Sequence, residues 1–180
     1  MSRKWAQDRA FSVAEAAEVI GFKESTLRDW LASGAAPYAS AKKGSERVLS
    51  CADIYVLSIA KWLVSAGYSI LVATAEAWRI AGGPDADPQN VSLEHAIIAD
   101  LGGGAMGTVH LIHEFDLPEH LPTRGAAFVP VGRIARNVVV QCLDLYGTRV
   151  SGQDIAQVVS TIADHAVELA ERHRDSRAAA

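Results

Sequence analysis

Apolar positions in the first third of the chain repeat with the three-and-four spacing of helices, and glycines interrupt them at short intervals. Val13, Ala16, Ala17 and Ile20 form one face of a helix that Ser12 and Glu15 open as a capping box, each side chain satisfying a backbone donor at the helix start. Gly21 supplies the left-handed conformation that stops it. Leu27, Trp30 and Leu31 predict a second helix within Lys23–Leu31, with Ser25, Thr26, Arg28 and Asp29 turned away from the apolar side. Two short helices across a glycine turn make a helix-turn-helix. Beyond Gly34 the run to Leu49 is too interrupted for a helix and reads as a two-stranded turn with Lys42 and Lys43 at its tip.

Helical spacing resumes at Cys51, where Ser50 and Asp53 form a weaker capping box and Ile54, Leu57, Ile59, Trp62 and Leu63 follow before Ala66-Gly67. Ser69 caps a further helix through Ile80, closed by Gly82-Gly83-Pro84. These two helices are expected to form the floor of the helix-turn-helix, with Leu27, Trp30, Trp62 and Trp78 in a common core. A break rich in Gly, Pro and Asp runs from Gly82 to Asn90. After it, His95–Leu101 and Gly107–Ile112 read as two strands around a glycine turn, with a helix over Leu93–Leu101 as the competing reading, and Ala126–Val129 adds a third strand. Ala135, Val138, Cys142 and Leu145 mark the seam of a helix that begins at Val131 and ends at Gly147. Ser151 and Asp154 cap a last helix with the seam Ile155, Val159, Ile162, Ala166 and Leu169. The expected class is mainly α with a small β component. A winged helix-turn-helix over residues 1–82 and a linker over 83–91 precede a small α+β or helical dimerisation or partner-binding domain over 92–180.

The second helix of a helix-turn-helix places its first-turn side chains against base edges in the major groove, which makes Ser25, Thr26 and Arg28 the candidate readers of sequence. Arg28 leads. A bidentate arginine on guanine discriminates by about 1–3 kcal/mol, whereas hydroxyls accept several partners. Lysines at a hairpin tip suit phosphate, which supplies affinity and register without sequence information. Arg47 either joins Lys42 and Lys43 on the backbone or braces the hairpin from within.

Charge bears on this only when divided by region. The formal net charge is −4, but residues 1–50 hold eight Lys or Arg against six Asp or Glu, and the deficit lies wholly in the remainder. The positive positions of interest are Lys23, Arg28, Lys42, Lys43 and Arg47. A composition 49% hydrophobic and 21% charged excludes wholesale disorder. Cys51 and Cys142 lie far apart without metal-ligand spacing, so neither a zinc knuckle nor a disulfide framework is indicated, and a reducing cytoplasm is the expected compartment. The start of the chain lacks the apolar core of a signal peptide, and the most apolar stretch, Trp62 to Ala75, is divided by Gly67 and too short to span a bilayer.

Enzymatic readings find little purchase. Gly102 to Gly107 fits the letters G-x-G-x-x-G, but Thr108-Val109-His110 reads as strand where a nucleotide fold needs a helix. His110 and His113, three apart on a strand, face opposite sides and do not converge on a metal. No spacing marks a nucleophile, so no catalytic residue, metal or cofactor is assigned.

The run Ser12-Val13-Ala14-Glu15-Ala16-Ala17 with Gly21, then Thr26-Leu27-Arg28-Asp29-Trp30, Gly34, Pro37, Arg47, Leu49 and Asp53-Ile54, resembles the winged helix-turn-helix of MerR-type transcription regulators. The similarity continues through Leu57, Leu63, Gly67, Tyr68 and Ser69, and covers about the first 80 residues. Lys23 stands where that family usually has a capping Ser or Thr, Asp29 replaces a usual aromatic residue, and Leu31-Ala32 replace a polar pair. The resemblance implies a second helix that enters the major groove, a wing on the flanking backbone, and a dimer on a two-fold site. The expected protein is a sequence-specific regulator that binds double-stranded DNA as a homodimer, with RNA polymerase or another protein as a further partner. Two other readings remain: a phage-type excision protein that bends DNA, and a small-ligand-binding domain after Asn90 tethered to DNA.

Overall fold

The computed structural model describes residues 5–39, 42–43, 46–91, 95–100, 109–113 and 126–147. The chain separates into two compact units, Met1–Cys142 and Leu143–Ala180, and of the second only the last turn of one helix is described. The helix expected from Ser151 and the glycine run Gly102 to Gly107 lie outside the described residues.

The first unit opens with a short strand, β1 (Arg9–Ser12), that leads directly into α1 (Val13–Ile20). Ser12 caps α1 as the sequence predicts: its hydroxyl accepts from the Glu15 amide, and the Glu15 carboxylate accepts from the Ser12 amide at 2.8 Å. Gly21 adopts φ +72°, and bonds from Phe22 N to Ala17 O and from Gly21 N to Glu18 O close the helix in a Schellman turn. Helix α2 (Glu24–Ala32) follows and buries Leu27, Trp30 and Leu31. Strands β2 (Lys42–Lys43) and β3 (Glu46–Ser50) then form an antiparallel hairpin, and β3 also pairs with β1, so the sheet order is β1-β3-β2. Lys42 and Lys43 flank the turn as ladder residues opposite Arg47 and Glu46.

Helix α3 (Cys51–Ser65) is the centre of this unit. Every residue from Cys51 to Ala60 is buried, as expected of a helix apolar nearly all round. Its start is fixed by a complete capping box between Ser50 and Asp53. The register that sets Arg9 opposite Ser50 also brings its guanidinium to 3.8 Å from the Asp53 carboxylate. Burial pushes the Asp53 carboxyl above the usual range, against the opposing pull of the Ser50 bonds and of Arg9. Helix α4 (Ile70–Ile80), capped by Ser69, packs on α3 through Ala73 and Ala77, both fully buried.

Strands β4 (His95–Asp100), β5 (Val109–His113) and β6 (Ala126–Val129) form a second antiparallel sheet in the order β5-β4-β6. Over the described residues 95–100 the strand reading therefore holds over the helical one. Residue β6 Val129 is buried, and the strand touches α3. Helix α5 (Val131–Gly147) buries Ala135, Val138 and Cys142, the three leading residues of its predicted seam, and leaves Leu145 half-buried. Cys51 and Cys142, distant in sequence, are free thiols brought side by side in the interior. The interaction of the protonated Cys51 thiol with Cys142, together with burial, pushes the Cys51 thiol well above its ordinary range.

Two core assignments are corrected. Leu27 and Trp30 are buried, but Trp62 is 47% and Trp78 39% exposed. Trp62 lies on the strip of α3 that also carries Ser58 and Ser65, and by Ser65 that strip has reached solvent. Helix α4 faces α3 with small residues, and Trp78 falls outside this face, with its ring against Gly83.

Candidate nucleic-acid interface

The outward side of α2 carries the candidate groups, and a set of contacts from α3 and α4 holds that helix in place. Lys61, on α3, donates from Nζ to the carbonyls of Ile20 at 2.7 Å and Gly21 at 3.0 Å. These are the C-terminal carbonyls of α1 and its cap, where a cation meets both free acceptors and the negative end of the helix dipole. The ammonium also lies 5.3 Å from the centre of the Phe22 ring, which meets Trp30 of α2 edge to face at 4.8 Å. A single lysine thus ties α1, the turn and α2 to the central helix. Its positive φ requires Gly21 there, and a Cβ would stand 3.0 Å from the lysine nitrogen, which would have to shift slightly to admit it.

The exit of α2 is held from the other side. Ser33 donates its hydroxyl to Trp30 O at 2.8 Å, Gly34 turns the chain with φ +74°, and the fully buried Thr74 of α4 donates to Ala35 O at 2.7 Å. Both ends of α2 are therefore positioned by elements about forty residues away in sequence.

On this frame Lys23, Ser25 and Arg28 are exposed, and Thr26 is half-buried, so its hydroxyl is less open than that of Ser25. Lys23 occupies the N-cap position with extended backbone and makes no side-chain cap bond. Glu24 takes over part of that task, since a carboxylate in the first turn complements the positive helix end. Its Oε1 also accepts from Arg28 Nε at 2.8 Å and from Nη2. In the hairpin, Arg47 is half-buried, and the register sets Lys42 across from Arg47 and Lys43 across from Glu46. The side chains of Lys42 and Lys43 lie outside the described ones. On α2 and its cap, Lys23 and Arg28 are balanced by Glu24 and Asp29, so this helix carries no net charge.

Lys61 and Thr74 were not among the residues singled out from sequence. Lys61 carried a signal, being the only cation in the apolar run from Cys51 to Ser65, while a buried threonine in a helix carried none. Glu24 was not singled out either, although its i,i+4 spacing to Arg28 is the signal of such a pair. Among the described residues, no group of three or more His, Cys, Asp or Glu side chains is placed to hold a metal ion, and no helix is long and apolar enough to cross a membrane.

A two-helix elbow with an exposed second helix, followed by an antiparallel hairpin, defines a winged helix-turn-helix. Residues 11–74 match the family described as MerR HTH family regulatory protein, so the N-terminal part of the chain is a MerR-type helix-turn-helix domain, the module of a DNA-binding transcription regulator. No curated protein matches the chain.

Replacing Lys61 with methionine keeps the aliphatic stem and removes the charge. Lys61→Met is expected to lower stability by about 1–2 kcal/mol through loss of the two carbonyl bonds and the dipole interaction. Thermal or urea denaturation of the purified protein measures this, and an unchanged midpoint would assign the elbow's stability to apolar packing alone.

Proposed function

We propose that the protein is a sequence-specific double-stranded DNA-binding transcription regulator that acts as a homodimer. Arg28 carries this reading: it is a 63% exposed side chain on the second helix of a family-matched helix-turn-helix. Ser25 and Thr26 supplement it at the groove, and Lys23 approaches the backbone from the helix start. Lys42, Lys43 and Arg47 on the wing contact the flanking phosphates, which compensates for the charge-neutral helix.

Dimerisation follows from the size of the module. One recognition helix reads few base pairs, whereas two held about 34–36 Å apart engage successive turns of groove on one face. Linking them raises affinity through effective concentration. Residues 92–180 are the part left to form the dimer or to hold a protein partner. A regulator so bound acts by contacting RNA polymerase or by excluding it, and its place of work is the cytoplasm.

Selection from a randomised duplex library tests the reading directly, with enrichment of a two-fold motif expected and enrichment of none counting against it. On the selected site, Arg28→Ala should weaken binding by about 1–3 kcal/mol with little change on random duplex; equal losses on both would remove Arg28 from base reading. The double variant Lys42→Ala, Lys43→Ala should weaken binding to every sequence and flatten the salt dependence by about one power of salt concentration per lysine. An unaltered slope would take the wing off the DNA. Sedimentation of the complex should find two chains per duplex, and a single chain at saturation would exclude the dimer.

A further inference from the structure

The way Glu24 holds Arg28 leaves a particular part of the guanidinium available. An arginine head has five N–H donors in a fixed planar fork. Two of them, on Nε and Nη2, are directed to the same oxygen of Glu24, which occupies the side edge of the group. The remaining three include the parallel pair on Nη1 and Nη2 that points away from the side chain. That end-on pair is the geometry that fits the O6 and N7 acceptors of guanine in the major groove. Both partners are open to solvent, Arg28 at 63% and Glu24 at 44%, so the fork is not covered by the fold.

We propose that Glu24 is a positioning residue for base recognition: by holding the side edge of Arg28 it presents the end-on fork to a guanine. The inference rests on α2 being the base-reading helix. Three features support it. Glu24 opens the first turn of α2 and Arg28 follows one turn later, at the N-terminal end of the helix, from which side chains reach base edges. A long, rotamer-rich side chain is ordered before binding, so less freedom is lost on contact. A supporting contact of this kind fixes the orientation of a recognition group that would otherwise be loose on an exposed helix. Glu24 also places a negative charge beside the DNA, so its presence lowers general affinity and raises selectivity.

The test is selection of a randomised duplex library by the full-length protein and by Arg28→Ala, Glu24→Ala and Glu24→Gln, with circular dichroism confirming that each variant is folded. Arg28→Ala identifies the base pair that Arg28 reads. At that base pair Glu24→Ala should relax the guanine preference by roughly 2- to 10-fold, the cost of ordering a free arginine, while binding to random duplex becomes tighter. Glu24→Gln, which keeps an uncharged acceptor at the same reach, should recover part of the preference. If Arg28→Ala relaxes one base pair and Glu24→Ala leaves it intact, Glu24 serves only the helix and the proposal is overturned. If the unaltered protein enriches no motif, the reading of α2 itself fails and takes the proposal with it.

Discussion

The burial of α3 on every side from Cys51 to Ala60 is the constraint on which the rest of this fold depends. A helix with no solvent face over that length has to be covered by several elements at once, and here α1, α4, β3 and β6 all touch it. Its first residue follows directly from the wing strand, because Ser50 both ends β3 and caps α3. The wing is thereby fixed to the most buried element of the unit. Apolar burial drives that arrangement, and the capping box with Arg9 beside it settles the polar groups that the arrangement leaves inside.

The same helix holds the helix-turn-helix in place through its less buried end. Lys61 leaves the core one residue past Ala60 and places its ammonium on the end of α1, so the charge caps a helix in another part of the chain while the stem stays packed. Phe22 and Trp30 continue the contact into α2. Thr74 closes the other end. The outward groups of α2, the solvent-exposed Glu24–Arg28 pair among them, thus take no part in the contacts that hold the elbow. The charges of α2 and its cap balance, whereas the neighbouring hairpin carries Lys42, Lys43 and Arg47 against Glu46.

Much of this was legible in the residues. The start and stop of α1, the second helix, the hairpin, and the caps at Ser50 and Ser69 follow from local chemistry: a hydroxyl three residues before a carboxylate, a glycine at a helix end, a change of period. Around 93–101 that chemistry left strand and helix both open, and pairing with 109–113 and 126–129 decided for the strand. Arg28 stood out because a charged group sat on the polar side of an amphipathic helix, and that side is exposed. Trp62 and Trp78 were misplaced for a related reason. An apolar residue at helical spacing meets the core only if a neighbour covers its strip, and spacing says nothing about the neighbour.

The sequence by itself determined the local units, because capping bonds, glycine turns and apolar faces act within a few residues of one another. It also determined the family of the N-terminal domain, since those local signals occur there in the family's order. Only the tertiary structure decided that Lys61 caps a helix forty residues earlier, that Thr74 anchors the exit of α2, and that two thiols ninety-one residues apart share one interior site. Each of these depends on where separate elements come to rest against α3, and that position is set by packing over the whole unit, which no short stretch of chain encodes.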